Sequence, residues 1–183
     1  MFRSRIVVSV VALFALTLVV MLVIAADNYL ALQSEMDAVL KGDPRNNGVH
    51  VSVRFGHYVQ RSILVYDLES LEPTNSMADV FRVLLQFAHS VDSREFTSVG
   101  LAFRGQTRFL LAGQYFKKLG EEYGSQNPVY TMRTFSENVF KPDGSSAYPT
   151  WTGGLIGVMG KELEQFNDFH KQWYLSDVAV LPR

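Results

Sequence analysis

The sequence predicts an α+β domain attached to a single N-terminal membrane helix. Residues 6–26 form one apolar run, IVVSVVALFALTLVVMLVIAA. Two pairs of β-rich segments follow, each pair succeeded by a segment with the apolar spacing of an amphipathic helix, and a longer helical pattern lies near the C-terminus. Because the apolar faces of a sheet must be covered, the expected fold is an antiparallel sheet covered by helices, built from two ββα units and a long C-terminal helix.

The apolar run has the length and composition of a membrane span. Its only polar side chains are the hydroxyls of Ser9 and Thr17. About 20 residues rising roughly 1.5 Å each cover a hydrocarbon core of about 30 Å, and a helix satisfies every backbone group there. The sequence therefore predicts a transmembrane helix over residues 6–26 that contacts membrane lipid.

The charges beside this run predict its orientation. Arg3 and Arg5 precede it, whereas Asp27 and Glu35 follow before the first lysine. By the positive-inside rule, residues 1–5 form a short cytoplasmic tail and the remaining chain lies outside the cytoplasm. We therefore expect a signal anchor in the inner (cytoplasmic) membrane, with the domain on the periplasmic, extracytoplasmic side.

A cleaved signal peptide is the alternative interpretation of the same run. The small residues around Ala25 and Ala26 fit a signal peptidase site, with cleavage after Ala25. A typical apolar region of a signal peptide is only about 7 to 15 residues long, which favours the uncleaved anchor. Both interpretations export the domain.

Composition narrows the class of protein and of partner. The exported part carries 15 Lys and Arg against 18 Asp and Glu, so it lacks the clustered positive charge that nucleic-acid binding needs. The chain has no cysteine, and it has no Asn-x-Ser/Thr acceptor, which favours a bacterial periplasm over a eukaryotic lumen. With about 157 residues beyond the span, a single domain can form its own core.

A helical stalk and linker are predicted over residues 27–47, before the domain at residues 48–183. Leu32, Met36 and Val39 continue a helical stripe beyond the span, and the Gly42-Asp43-Pro44 sequence ends it. Packing of the stripe on the domain is the simpler explanation. Self-association or contact with another span is the alternative, and it makes these three residues candidates for protein interaction.

Alternation and capping signals predict the elements of the domain. Strands are expected over residues 49–55 and 61–68 and again over residues 96–103 and 108–112. The first helix begins at Ser76, which forms a capping pair with Asp79, and a second helix over residues 114–123 ends at Gly124.

The C-terminal third has weaker signals. A fifth strand is predicted over residues 129–135, a long loop then runs to Trp151, and the last helix covers residues 154–174. The VAVL segment at residues 178–181 could pair as an edge strand. Phe135 and Phe140 are expected in the core, whereas Tyr148 and Trp151 are candidate interaction residues because prolines and glycines surround them.

Patterns that suggest chemistry are better explained structurally. The glycine-rich segment before Lys161 lacks the Walker spacing, so no nucleotide is expected, and Gly154, Gly157 and Gly160 are interpreted as a surface for close backbone packing. The four histidines lie in different elements, no pair is spaced i, i+4, and neither a metal nor a cofactor is expected. Asp67 and Glu69 share one face of a strand by alternation alone, which explains them better than an acid/base pair.

These features favour an interaction role. We expect a non-catalytic interaction or accessory subunit of a membrane or envelope complex, with a protein partner and with catalytic residues unknown. The alternative is a membrane-tethered module or enzyme for a small periplasmic ligand, with a pocket between the sheet and the C-terminal helix.

Overall fold

The computed structural model describes residues 2–151 and 155–178, with side chains described for residues 11–151 and 157–178. Most of the domain beyond the N-terminal helix consists of one sheet and the helices packed against it. The helices are α1 (Phe2–Asn28), α2 (Ser34–Gly42), α3 (Met77–Ser90), α4 (Gly113–Glu122), α5 (Pro128–Phe135), α6 (Leu155–His170) and α7 (Ser176–Val178). The strands are β1 (Val49–Gly56), β2 (Gln60–Leu71), β3 (Ser98–Phe103), β4 (Gln106–Ala112) and β5 (Val139–Phe140).

The five strands form one mixed sheet in the order β1-β2-β3-β4-β5. The predicted α+β class is confirmed, but the prediction of a purely antiparallel sheet is wrong at its centre, where β2 and β3 run parallel. Helix α3 lies between these strands and returns the chain to the end of the sheet where β2 began, so β3 starts in the same direction. The two ββα units are not confirmed, because this parallel pair joins all the strands in one sheet.

The local signals at α3 and α4 match the structure. Ser76 and Asp79 form the reciprocal hydrogen bonds of a capping box at the start of α3. Gly124 follows the end of α4 with a φ of +82°, the left-handed conformation that commonly ends a helix. Both hairpins also form, from β1 and β2 and from β3 and β4.

The predicted strand over residues 129–135 is wrong, since this segment is helix α5. The Asn127 side chain accepts a hydrogen bond from the amide of Val129, and Pro128 occupies the first turn, where its missing N–H costs nothing. This start signal outweighs the β preference of the valine, tyrosine and threonines that follow. The fifth strand is the two-residue β5, further along the chain.

The C-terminal helix is interrupted, whereas a single helix was predicted. Helix α6 ends at His170, a π-helical turn covers Lys171–Leu175, and α7 follows. The prediction of close packing is wrong for Gly157 and Gly160, because no described atom lies within 4 Å of the position that a Cβ would occupy. Gly154 and residues 179–181 lie outside the described residues.

The core lies between one face of the sheet, here called the inner face, and the helices. Tyr66 of β2 contacts Phe87 of α3 and Trp173 of the π turn, and Phe109 of β4 contacts Phe169 of α6. The opposite, outer face includes Ser52, Arg54, Val65, Asp67 and Ala102. Alternation along each strand therefore separates an aromatic core from a more polar face.

A glycine at the contact between α3 and α4 gives a testable consequence of this packing. A Cβ on Gly120 would lie 2.3 Å from the carbonyl oxygen of Ala88, which is backbone and cannot rotate away. We expect Gly120→Ala to destabilise the protein by about 1–3 kcal/mol or more through overpacking. The matched Gly160→Ala variant, on an open helix surface, should instead stabilise it by up to about 1 kcal/mol. Thermal unfolding in detergent measures both, and equal shifts would contradict this packing.

Candidate functional site

The N-terminal helix is long and apolar enough to cross a membrane. Its apolar part is exposed, with Phe14 75% accessible, and only 6% of the most apolar window is buried. No other segment of the described residues meets the same length and hydropathy criteria. A protein surface of this size made of leucine, valine and phenylalanine indicates contact with lipid or with another apolar helix.

The same helix continues into the domain. Leu32 and Met36 are fully buried in the core cluster, and Val39 packs against it. Packing on the domain, the simpler of the two explanations given above, is what the structure shows for these three interaction candidates. The segment after the apolar run is thus part of the folded domain.

Side-chain amides of this helix pair with the free edge of β1. The Asn28 Oδ1 accepts a hydrogen bond from the Phe55 amide at 2.8 Å, and its Nδ2 donates to the Tyr58 carbonyl at 2.7 Å. The Gln33 Oε1 accepts from the Val53 amide at 2.9 Å, and its Nε2 lies 3.5 Å from the Val51 carbonyl. Because an unpaired strand edge exposes polar backbone groups, these two residues replace a neighbouring strand.

A π-helical turn over Tyr29–Gln33 allows both amides to reach the strand. In a regular α-helix, residues five apart point roughly 140° away from each other. The wider π turn has more residues per turn, which reduces this angle for Asn28 and Gln33. The turn therefore directs both side chains toward alternate amides of β1.

The β1–β2 hairpin tip lies beside the end of the apolar part of the N-terminal helix. His57 and Tyr58 occupy the turn with φ of 45° and 65°, the left-handed region that favours glycine or asparagine. Tyr58 and Val59 are 54% and 62% accessible, and Arg61 forms an ion pair with Asp27 of the helix. Polar contacts to the helix thus hold an exposed aromatic and an exposed aliphatic side chain beside the end of the apolar part of the helix.

A groove of about 690 Å³ lies between the helix and the outer face of the sheet. Met21, Ile24 and Ala25 form its apolar end, and the helix wall continues through Asn28, Tyr29 and Gln33. The sheet wall is Ser52, Val53, Arg54, Asp67 and Glu69, with Tyr58 at one end and Gly105 at the other. One groove therefore joins the apolar part of the N-terminal helix to a charged strand surface.

The groove carries one cation and two carboxylates. The Arg54 guanidinium lies over the Tyr58 ring, 4.8 Å from its centre. Asp67 is 7% accessible and accepts hydrogen bonds from the Gly105 amide at 2.8 and 3.1 Å. Burial raises the pKa of Asp67, while the hydrogen bond from Gly105 acts in the opposite direction. Glu69 is exposed and lines the same groove.

The loop candidates Tyr148 and Trp151 lie away from this groove. Tyr148 is buried and packs near the Phe109 ring, at 6.4 Å between ring centres. Trp151 is 39% accessible, with the Lys161 ammonium 5.8 Å from its ring centre. Phe135 lies in the core as expected, whereas Phe140 is half-buried. Of the loop aromatics, Trp151 presents the larger surface to a partner.

The space between the sheet and α6 is filled by aromatic side chains. Phe135, Phe166, Phe169 and Trp173 pack ring to ring there, together with the fully buried His170. The other histidines are exposed. Among the described residues, no three His, Cys, Asp or Glu side chains are grouped so that they could hold a metal ion.

Removing the Asn28 side chain tests its role at the strand edge. Asn28→Ala should leave the Phe55 amide without its partner and cost about 1–3 kcal/mol of stability. In detergent, hydrogen exchange of the Phe55 amide should be faster in Asn28→Ala than in wild type, because that amide has lost its hydrogen-bond acceptor. Asn47→Ala, at an exposed position, is the control and should change stability by less than about 0.5 kcal/mol. Unchanged exchange at Phe55 would contradict the assignment.

Sequence reasoning placed Asp67 and Glu69 on one strand face but missed Asn28, Gln33 and the groove. The interruption of a long apolar helix by Asn28 and Gln33, spaced five apart, was the available signal.

No family model matches this chain, and no curated protein or solved structure has significant similarity to it.

Proposed function

We propose that this protein is a single-pass, membrane-anchored domain on the extracytoplasmic side of the inner membrane, and that it acts as a non-catalytic accessory or interaction subunit of a membrane or envelope complex. One observation carries the proposal. A continuous N-terminal helix is apolar and exposed over its first part, yet buried in the domain core at Leu32 and Met36. The orientation rests on Arg3 and Arg5 before the span and acidic residues after it.

The rigid junction supports an interaction role. A flexible tether would only keep the domain near the membrane, whereas Asn28, Gln33 and the Arg61–Asp27 ion pair hold the helix in a defined orientation to the sheet. A partner that contacts both the span and the domain would then meet a preorganised surface, which lowers the entropic cost of binding. The exposed Trp151 is the candidate contact on the domain.

Photo-crosslinking in native membranes tests the proposal. A photoreactive residue replaces Leu16 in the span, Trp151 in the domain, or Asn47 as an exposed control. We expect Leu16 or Trp151 to be joined to one protein in a fixed ratio, with no such product from Asn47. Native mass analysis showing a monomer, with lipid as the sole crosslinked species, would overturn the interaction role.

The anchor has a separate test. N-terminal sequencing of the membrane-extracted protein should find the chain uncleaved, and the protein should resist extraction by alkaline carbonate. A mature chain that begins at Ala26 would overturn the anchor and convert residues 1–25 into a signal peptide.

A further inference from the structure

We propose that the groove between the N-terminal helix and the outer face of the sheet binds the headgroup of a bilayer phospholipid, with the phosphate at Arg54 and a primary ammonium group toward Asp67 and Glu69. The inference rests on the proposed function, because it requires the span to remain in the membrane. It assigns the groove a ligand class: phospholipids with an ethanolamine-type headgroup.

Depth in the bilayer is the first argument. The predicted hydrocarbon boundary lies near Ala26, and Asn28, two residues further, is hydrogen-bonded to Phe55, next to Arg54. At a rise of about 1.5 Å per residue, Arg54 lies only a few ångströms above the hydrocarbon. Each headgroup layer is about 5–7 Å thick. Arg54 therefore lies at the level of lipid phosphates.

The composition of the groove along its length is the second argument. Its membrane end is formed by Met21, Ile24 and Ala25, which are continuous with the lipid-facing surface of the span. Arg54 follows, and then the carboxylates of Asp67 and Glu69. An acyl chain, a phosphate and an ammonium group occur in the same order along an aminophospholipid.

Arg54 is positioned for an anion. Stacking on Tyr58 and a long contact of 3.5 Å from the guanidinium to the Phe55 carbonyl hold the Arg54 side chain at the groove wall. Asp67 interacts with it electrostatically, but among the described residues no carboxylate lies within 4 Å to form an ion pair with it. The Tyr58 carbonyl is held in turn by Asn28. Since the hairpin keeps two non-glycine residues in left-handed conformations, which together cost roughly 2 kcal/mol or more, its geometry is strongly determined by its surroundings.

The carboxylates determine which headgroup fits. Asp67 and Glu69 would repel a second anionic group, so they disfavour glycerol-type headgroups with net negative charge. A primary ammonium donates up to three hydrogen bonds to them, whereas a quaternary ammonium donates none. Diagonal positions on neighbouring strands are about 7–8 Å apart, which places Arg54 within one headgroup of Asp67.

Native mass spectrometry of the full chain tests this site. The protein is reconstituted in nanodiscs that contain phosphatidylethanolamine, phosphatidylcholine and phosphatidylglycerol in equal amounts, and the lipid retained after release is identified. We expect wild type to retain phosphatidylethanolamine over either other lipid. Arg54→Gln should lower retention about fivefold or more. Glu69→Gln should weaken the preference for ethanolamine over choline. Lys118→Gln removes an exposed cation outside the groove. It should change neither the amount of lipid retained nor the preference for ethanolamine.

The outcomes separate the site from the anchor. If the protein does not float with liposomes, the proposed function fails. If it floats and all variants keep the wild-type melting temperature, yet Arg54→Gln and Lys118→Gln retain equal lipid, the anchor stands and the headgroup site is overturned. Retention that follows the bulk lipid ratio in wild type also overturns it.

Discussion

Lowering the pH from 7 to 4.5 is expected to destabilise the folded protein by roughly 2–3 kcal/mol through His170 alone. This side chain is fully buried among aromatic rings, and its Nδ1 lies 3.0 Å from the Tyr174 hydroxyl. Burial lowers the pKa of His170 from 6.5 to about 3. Below about pH 6.5 the unfolded chain therefore binds a proton that the folded protein does not, and stability falls as the pH decreases.

His170→Phe isolates this contribution. The variant removes the titrating group from a cluster of aromatic side chains, so its urea unfolding curve in detergent should change less between pH 7 and 4.5 than that of wild type. Burial raises the pKa of Asp67, which has the opposite effect on the pH dependence and is retained in both proteins. His50→Gln, at an exposed position, should follow wild type. Identical pH dependence in wild type and His170→Phe would refute the assignment.

Trp173→Ala should be among the most destabilising substitutions in the domain, at about 3–5 kcal/mol. Trp173 is fully buried, packs on Tyr66 and Phe169, and donates a hydrogen bond from Nε1 to the Ala102 carbonyl at 2.9 Å. It thereby attaches the C-terminal helical segment to a central strand. Truncation removes the ring contacts and leaves a cavity beneath the sheet.

The chain contains only one other tryptophan, Trp151, which serves as a matched control. Because it is 39% accessible, Trp151→Ala should cost far less. The loss of unfolding free energy in Trp173→Phe should lie between those of the two alanine variants, since phenylalanine keeps much of the packing but loses the hydrogen bond to Ala102. Denaturant unfolding followed by circular dichroism gives the three values. A Trp151→Ala variant as unstable as Trp173→Ala would contradict this ranking.

The junction between the helix and the sheet has consequences for any partner. A free stalk over residues 27–47 would let the domain rotate relative to the N-terminal helix. Instead, Asn28 and Gln33 occupy the edge of β1, and Leu32 and Met36 lie in the core. Any partner that contacts the N-terminal helix would therefore meet the domain in one orientation.

A bulge in the β3–β4 pair adds a contact between the sheet and the C-terminal helical segment. The pairing shifts after Leu101, so Arg108 is an extra residue in β4. Its guanidinium forms an ion pair at 2.6 Å with Asp177 of α7. A bulge changes the direction of a side chain, and here it adds a contact between the sheet and the last described helix.

Local patterns determined much of this protein. The long apolar N-terminal helix, both hairpins, α3 with its Ser76–Asp79 capping box and the Gly124 helix end each depend on neighbouring residues, so the sequence alone predicted them. The strand predicted over residues 129–135 is wrong because the helix-start signal at Asn127 and Pro128 outweighs the β preference of the residues that follow.

Only the tertiary structure decided the strand pairing at the centre of the sheet, the burial of the helix after the apolar run and the groove, because these features depend on residues far apart in the chain. The parallel pairing of β2 with β3 follows from the path of α3, and the burial of Leu32 and Met36 follows from the sheet beneath them. The groove exists because Asn28 forms hydrogen bonds with Phe55 and Tyr58, about 30 residues away, which places Arg54 beside the end of the apolar run. Periodicity identifies which face of an element is apolar. The partner of that face is determined only when the whole chain packs.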